Sequence, residues 1–177
     1  YGVSKCATYW LGKNYRESHG LFVCNGILFN HESSRRGKEF VTRKITDYVG
    51  RLANNKVPQG EKLQLGNPDA KRDWGFAPDY TRAMRLMLQH DTPDDYVVAT
   101  GETHTVRECC EAAFASAGLD YSEHTQFSVP AELRPAEVSL LLGDYAKIKD
   151  VLGWEPTKTF HQIISDMVLN DIELNRG

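Results

Sequence analysis

The sequence predicts an α/β fold, and three observations support that prediction. Apolar residues at helical spacing alternate with short, nearly unbroken apolar runs along the chain. Two of these runs, at 21–29 and 96–99, are typical of strands buried in a parallel sheet. The chain also has 177 residues, of which 41% are hydrophobic and 25% charged, so it can bury a core of ordinary size.

The first part of the chain predicts a helix, a strand and a loop. Apolar side chains recur at helical spacing from 4 to 18, and His19-Gly20 ends this helix. The run at 21–29 predicts a strand that is buried on both faces. The polar, basic segment 30–37 then predicts a loop at the end of that strand.

The next elements are a helix, a short strand and another helix. Apolar periodicity predicts a helix over 40–52, and a short strand follows around 63–65. The cluster Gly-Asn-Pro-Asp at 66–69 predicts a turn. Asp79, directly after Pro78, is predicted to cap the helix that follows.

The rest of the chain is predicted from the strand at 96–99 and from helix caps. Three further helices each begin at a threonine or aspartate cap, and a glycine ends two of them. The caps are Thr105 with Glu108, Asp144, and Thr159 with Gln162, and the glycines are Gly118 and Gly153.

Composition excludes several classes of function. A formal net charge of −3 argues against a nucleic-acid binder, and no apolar run approaches the ~20 residues of a membrane span. The four cysteines lack metal-ligand spacing, so no metal site is predicted, and vicinal Cys109-Cys110 is typical of reduced thiols that pack as small apolar residues. With no signal peptide at the start of the chain, a cytoplasmic location is expected.

Tyr1 and Lys5 stand one helical turn apart at the head of the first predicted helix. Positions i and i+4 share a helix face, so the phenol and the ammonium can point at one substrate. A nearby positive charge favours phenolate, which a general base for a sugar hydroxyl requires. The alternative is an ordinary surface lysine one turn after a partly buried tyrosine.

Three loops carry groups suited to a phosphorylated ligand. After the strand at 21–29, Asn30 and His31 offer neutral hydrogen-bonding groups, and Arg35 and Arg36 offer planar cations. Arg72 lies in the segment KRDWGFAPDY before a predicted helix. The alternatives are a solvated loop for the arginines and a surface hairpin around Arg72.

The third of these loops is ELRPAEV. Arg134 is restricted by the proline that follows it, and Glu137 could bind ribose hydroxyls or a base amide. A loop with an incidental ion pair is the alternative here. The segment LGWEP at 152–156 is interpreted as a structural stop and turn.

These segments together resemble one enzyme family. Tyr-x-x-x-Lys, NGILFNHES, FVTRKI, LGNPDAKRDWG, ATGE, RPAEV and LGWEP occur in that order. In this order they are similar to the later half of the GDP-mannose 4,6-dehydratase family, a member of the extended short-chain dehydrogenase/reductase group. RDW, RPxE and GWxP are shared across nucleotide-sugar epimerases and dehydratases, whereas NGILFNHES with SRRG and FVTRKI resembles the GDP-mannose branch.

The resemblance implies a role for particular residues. Tyr1 matches the catalytic base, and Lys5 matches the lysine that holds the nicotinamide ribose and lowers the tyrosine pKa. His31 and Arg36 match positions that contact NADP. The positions that match the substrate side are Asn30, Lys44, Arg72, Arg134 and Glu137.

The resemblance also implies a fold and a reaction. The fold would be the later part of a Rossmann-like NAD(P)-binding domain, at 1–36 and about 92–118, plus a smaller sugar-nucleotide domain at about 37–91 and 119–177. In the reaction, C4 of the mannose is oxidised by NADP, water leaves from C5 and C6, and the hydride returns to C6. GDP-mannose is then the substrate, and a homodimer or homotetramer without nucleic-acid or membrane partners is expected.

The chain departs from the family pattern in ways that lead to further expectations. It lacks a glycine-rich phosphate loop and the Thr and Glu that share the elimination, and its start at Tyr1 suggests the later part of a longer chain. NGILF would then be a strand with one unpaired, exposed edge. We expect the isolated chain neither to bind NADP tightly nor to turn over. Ser34 stands where the family usually has proline, which loosens the loop before Arg36.

Three other functions stay open. A nucleotide-sugar epimerase would share Tyr1 and Lys5 but would return hydride to C4 without loss of water. A non-catalytic module would keep the sugar-nucleotide pocket and bind GDP without NADP. Nucleic-acid binding through the basic cluster from Arg35 to Lys44 is opposed by the acidic balance of the chain.

Overall fold

The computed structural model describes residues 1–127 and 138–176, and within them helices and strands alternate as an α/β fold requires. The helices are α1 (Gly2–His19), α2 (Val41–Ala53), α3 (Ala77–Gln89), α4 (Val106–Ala115), α5 (Tyr121–His124), α6 (Ala146–Leu152) and α7 (Phe160–Leu174). The strands are β1 (Asn25–Leu28), β2 (Asn30–Glu32), β3 (Leu63–Leu65), β4 (Lys71–Arg72), β5 (Trp74–Phe76), β6 (Asp95–Val98), β7 (His104–Thr105) and β8 (Thr125–Phe127).

The strands form short pairs, and most of the pairs are parallel. In the described part of the chain, β1 pairs with β6, β2 with β5 and β3 with β8, all parallel, whereas β4 and β7 are antiparallel. Only Phe29 separates β1 from β2, and its N–H donates to the carbonyl of Val98 at 3.0 Å. The chain therefore changes its pairing partner from β6 to β5 within one residue. As a result, the start of β2 lies beside the start of β5.

The strand predicted over 21–29 is shorter and more exposed than expected. It spans Asn25–Leu28, and Ile27 is 46% exposed, so burial on both faces was wrong. Among the described residues β1 pairs only with β6, which agrees with the expected exposed edge. The predicted loop 30–37 was also partly wrong, because its first three residues form β2 against β5.

Two apolar clusters form the core. The first joins α2, α4 and α7, and there Gly50 lets two helices approach closely: a Cβ on Gly50 would lie 2.6 Å from the backbone of Asp171. The second joins α3, β6 and α6 around Trp154, whose Nε1–H donates to the carbonyl of Asp79 at 2.8 Å. No helix in the described ranges combines the length and the apolar character that crossing a bilayer would need.

Most predicted helix ends are confirmed, since both capping boxes form and Gly153 adopts a left-handed conformation. Asp144 accepts the N–H of Ala146 at 2.8 Å, although the residue at the cap position is Tyr145. The regular part of α4 ends at Ala115, and Gly118, the predicted end, has a left-handed φ of 70° and closes the turn that follows.

Asp79 was wrongly predicted as a helix cap. Helix α3 begins at Ala77 with Pro78 in its first turn, where a residue without an N–H fits well. The carboxylate of Asp79 instead accepts the backbone N–H of Thr157 at 2.8 Å and a second hydrogen bond from its hydroxyl. It therefore joins α3 to the segment that follows Trp154.

None of the residues of helix α1 is buried, and polar contacts around Asp95 attach the helix to the rest of the described chain. Arg16 donates to both oxygens of Asp95, at 2.7 and 3.0 Å, and Asn25 donates to the same carboxylate at 2.9 Å. These hydrogen bonds lower the pKa of Asp95 to about 2, and the one from Arg16 has the largest effect. The contact ties α1 to β1 and β6.

The substitution Asp95→Asn is expected to loosen α1 and to lower the free energy of unfolding by about 1.5 kcal/mol, because it removes the charge that Arg16 binds. The folded pKa of Asp95 lies below the ~3.9 of an unfolded aspartate, so its contribution is complete above about pH 4 and is lost as the pH falls toward 2. Urea unfolding followed by circular dichroism at pH 7, 4 and 3 measures both effects.

The matched control is Asp94→Asn. Asp94 pairs with Lys147, and both side chains are about half exposed, so we expect a loss below about 0.5 kcal/mol. The Asp94 oxygen that accepts the N–H of Asp95 is kept as the amide oxygen of asparagine. Equal losses in the two variants would contradict a special role for Asp95 in holding α1.

Candidate functional site

Tyr1 and Lys5 lie on one face at the start of α1, as the spacing predicted. The Nζ atom of Lys5 lies 5.4 Å from the centre of the Tyr1 ring. Tyr1 is 95% exposed, and Lys5 is exposed as well. The two groups are therefore close enough to act together, but in this chain both face solvent instead of an enclosed pocket.

Asn30 and His31 are presented by β2, half-buried beside β5. The Nδ1 atom of His31 lies 2.9 Å from the carbonyl oxygen of Phe29. A carbonyl only accepts hydrogen bonds, so Nδ1 carries the hydrogen, and a neutral imidazole then has Nε2 as an acceptor. The side-chain amide of Asn30 has no hydrogen-bond partner among the described residues, which leaves its donors and its acceptor for a ligand.

The ring of Tyr80 packs against the imidazole of His31. The two ring centres lie 5.0 Å apart with a 32° tilt, and Tyr80 also packs edge-on against Trp154. Gly75, which pairs with His31 across the strands, has no side chain to block the Tyr80 ring. Burial raises the pKa of Tyr80 well above its usual range, and its hydroxyl has no partner among the described residues.

The arginine loop, residues 33–37, follows β2 and holds Arg36 inward. The guanidinium carbon of Arg36 lies 3.6 Å from the centre of the Phe40 ring, and its Nε lies 3.4 Å from the buried carboxylate of Glu32. Thr42 donates to that carboxylate at 2.5 Å, and burial raises the pKa of Glu32. The neighbouring Arg35 is exposed and lines a groove of about 790 Å³ between the loop, α3 and α7.

Arg72 lies in β4, two residues before the residue that pairs with Asn30. Its Nη1 donates to the carbonyls of Lys71 at 2.8 Å and Val138 at 2.7 Å. Because β4 pairs with β7 and leads into β5, the alternative of a surface hairpin around Arg72 was wrong. Arg72 lies two residues along the chain from Trp74, which pairs with Asn30.

Asp73 connects this region to two other loops. It is wholly buried and accepts the backbone N–H groups of Thr100 at 2.9 Å and of Gly101 and Gly143 at 3.2 Å. The Thr100 hydroxyl donates to it at 2.8 Å. These contacts fix the position at which β4 passes into β5.

Comparisons with known proteins agree with the motifs. The family model described as GDP-mannose 4,6 dehydratase matches residues 1–167. GDP-mannose 4,6 dehydratase 1 of Arabidopsis thaliana is 53% identical over 174 residues, covering 98% of this chain and 47% of that protein. The human GDP-mannose 4,6 dehydratase is 45% identical over 192 residues, covering 99% of this chain and 51% of that protein.

The chain belongs to the GDP-mannose 4,6-dehydratase family. It spans about half the length of the curated family members that it matches. Solved structures agree on the fold: RMD from Pseudomonas aeruginosa complexed with NADPH has a TM-score of 0.87 at 24% identity, over 98% of this chain and 56% of that one. dTDP-glucose 4,6-dehydratase from Bacillus anthracis in complex with NAD has a TM-score of 0.81 at 19% identity, over 96% of this chain and 51% of that one.

Three further residues were predicted for the site from the family resemblance. Lys44 is exposed on α2, and its ammonium has no partner among the described residues. Arg134 and Glu137 lie outside the described residues. Within the described ranges, no hydrogen bond or ion pair joins the side chains of Tyr1, Lys5 or Lys44 to that of Asn30.

Sequence reasoning missed the buried groups that hold this family's motifs in place. Glu32, Asp73 and Tyr80 each stand inside or beside one of those motifs, but the motif alone did not distinguish them from exposed polar residues. The signal for Asp73 was its place between a positioned arginine and an aromatic residue in RDW. For Glu32 the signal was a carboxylate three residues after the predicted strand at 21–29 and ten residues before Thr42.

The cysteines and the potential metal ligands carry no further chemistry in the described part. Cys109 and Cys110 are free and buried, as predicted, and burial raises the pKa of both, that of Cys110 to about 12. Cys6, on α1, is also free but exposed. Among the described residues, no group of three His, Cys, Asp or Glu side chains could hold a metal ion.

The substitution Gly75→Ala is expected to destabilise the protein by about 1–3 kcal/mol and to displace His31. A Cβ at this position would lie 2.4 Å from the Tyr80 ring and 2.6 Å from its hydroxyl oxygen, so the ring must move away from its place under the imidazole. Urea unfolding measures the stability, and the NMR signals of the His31 imidazole report the displacement.

Gly2→Ala is the control for the added methyl group. Gly2 lies in the first turn of α1, and an added Cβ would meet nothing within 4 Å, so stability should stay the same or rise slightly. A Gly75→Ala protein with unchanged stability and unchanged His31 signals would show that Tyr80 does not support this imidazole.

Proposed function

We propose that this chain forms the sugar-nucleotide part and a portion of the nicotinamide-binding part of a GDP-mannose 4,6-dehydratase. This hydro-lyase converts GDP-mannose to GDP-4-dehydro-6-deoxy-mannose and water with NADP as a recycled cofactor. The observation that carries the proposal is the 53% identity over 98% of the chain to a protein of that name. The position of Asn30 and His31 just beyond β1 supports it, because ligands in such sheets bind past the carboxyl ends of strands.

In this proposal Tyr1 and Lys5 are the catalytic pair. The Tyr1 phenolate takes the proton from the sugar 4-hydroxyl, and Lys5 favours the phenolate and holds the nicotinamide ribose. Bound NADP, held by Lys5, His31 and Arg36, would supply the hydride acceptor for C4 of the sugar and, once reduced, the hydride donor for C6. The fit of the residues to this cofactor rests on His31, whose Nδ1 contact with Phe29 leaves Nε2 as the acceptor of a neutral ring, and on the cation of Arg36.

The substrate residues of the proposal are those that the family resemblance implied. Asn30 binds the sugar through an amide that has no described partner, and Arg72 neutralises the diphosphate. Lys44, Arg134 and Glu137 are proposed to surround the GDP part. Their contribution is mainly to hold the hexose against the nicotinamide, which is a positional effect.

We also propose a cytoplasmic homodimer or homotetramer in which α1 packs against its counterpart. Trp10 and Leu11 are each 58% exposed, which supports an intermolecular contact in preference to an intramolecular core. The division into a nicotinamide-binding part at 1–36 and about 92–118 and a sugar-nucleotide part at about 37–91 and 119–177 belongs to the same proposal. The net charge of −3 gives no support for a nucleic-acid partner.

A chimera tests the activity. The part of the Arabidopsis relative that precedes its matched region is joined to Tyr1, and the conversion of GDP-mannose is followed by mass spectrometry for loss of water. We expect activity from the chimera and none from the 177-residue chain alone. In the chimera, Tyr1→Phe should lower kcat by about 10²–10⁴-fold, because it removes the general base.

The control variant is Tyr15→Phe, near the other end of the same helix. It should keep the activity of the chimera. An epimerised product without loss of water would favour the epimerase alternative. A chimera that binds GDP but neither binds NADP nor shows activity would favour the non-catalytic module.

A further inference from the structure

Arg43, on the first turn of α2, is buried and uses each of its three guanidinium nitrogens. Its Nε donates to Oδ2 of Asp171 at 2.9 Å, and its Nη2 lies 2.7 Å from Oδ1 of the same carboxylate, an ion pair without an aligned hydrogen bond. Its Nη1 donates to the carbonyl of Arg36 at 3.1 Å and also to the carbonyl of Ser34. One side chain therefore joins α7, α2 and the arginine loop.

The ion pair is deeply buried and well supported. Asp171 has no exposed surface, Arg43 is 6% exposed, and the Thr46 hydroxyl donates to Asp171 at 2.7 Å. Removing such a pair from water is costly, and a pair of apolar side chains often stabilises a core as well or better. What apolar side chains could not do is donate hydrogen bonds to the two loop carbonyls.

The remaining contacts of the loop backbone are local. The N–H of Arg36 donates to the carbonyl of Ser33 at 2.9 Å, and the N–H of Arg35 donates to the Ser33 hydroxyl at 3.2 Å. These bonds shape the turn but do not tie it to the core. The backbone of the loop is attached to the core through Arg43, while the Arg36 side chain is held separately by Glu32 and Phe40.

We propose that Arg43 is a positioning residue for the cofactor, which acts by holding the arginine loop in the conformation that presents Arg36. This inference rests on the proposed function for the identity of the ligand, but the loop conformation itself can be tested without a ligand. Arg43 does not touch the ligand in this scheme. Its loss should weaken NADP binding more than GDP binding, because Lys44, the proposed GDP residue on α2, is exposed and has no described contact with the arginine loop.

The first experiment uses the 177-residue chain and measures the loop directly. The variant Arg43→Met/Asp171→Met removes both charges, so no unpaired carboxylate is left in the core and the fold is expected to persist. Trypsin cleaves after Arg35 and Arg36, and we expect this cleavage to become about tenfold faster, equivalent to 1.4 kcal/mol, because the loop opens more often. Thermal unfolding by circular dichroism confirms that the variant is folded.

The control is Arg51→Met, which removes an arginine from the same helix. Arg51 contacts Asp47 and Glu61 and makes no described contact with the loop, so its cleavage rate should match that of the unchanged chain. If the double variant fails to fold, Arg43→Lys replaces it, because an ammonium keeps a charge for Asp171 but lacks the planar fork that also reaches two carbonyls. Unchanged cleavage in a folded variant overturns the proposal.

The second experiment uses the chimera and separates the two ligands. In the chimera that carries Arg43→Met/Asp171→Met, or Arg43→Lys if the double variant does not fold, we expect the Kd for NADP to rise about tenfold. The Kd for GDP should change less than about twofold. Equal weakening of both ligands would mean a general structural role and would overturn the positioning role. An inactive chimera with faster loop cleavage would instead contradict the proposed function and leave the role of Arg43 in the loop intact.

Discussion

Buried carboxylates hold the loops of the candidate site to the protein core. Asp73 accepts N–H groups from two loops, Asp79 binds Thr157, and Asp171 binds the arginine that reaches the arginine loop. A carboxylate in a dry interior is costly unless its oxygens are satisfied. If a loop that supplies these donors moved away, the buried carboxylate would lose its hydrogen bonds, which is energetically unfavourable. Each aspartate therefore limits the movement of a segment distant in sequence.

This constraint explains how short strands can position a site. The pairs of β2 with β5 and of β4 with β7 involve only two or three residues on each strand, which is little hydrogen bonding for a sheet. Asp73 lies between β4 and β5 and fixes the position of both strands. It therefore keeps constant the distance between Arg72 in β4 and Trp74 in β5, the residue that pairs with Asn30. The arrangement of Asn30, His31 and Arg72 thus depends on a group that would not itself touch a ligand.

The accuracy of the sequence predictions differed by type of element. Helices with a long apolar stripe and a capping box, such as α7 from Thr159, were predicted closely because the pattern and the cap are both local. The cap at Asp79 was wrong because its oxygens bind Thr157, a contact across the fold that no local pattern records. Strand β2 was missed for the same reason, since it exists only through its pairing with β5.

The sequence by itself determined the α/β class, the order of the main helices, the shared helix face of Tyr1 and Lys5, and the resemblance to a family. Each of these depends on spacing along the chain or on a motif. Only the tertiary structure decided which polar residues are buried and which loop each of them holds. Arg43 and Lys44 are neighbours in sequence, yet one is buried against Asp171 and the other faces solvent, because burial depends on which surface α7 covers.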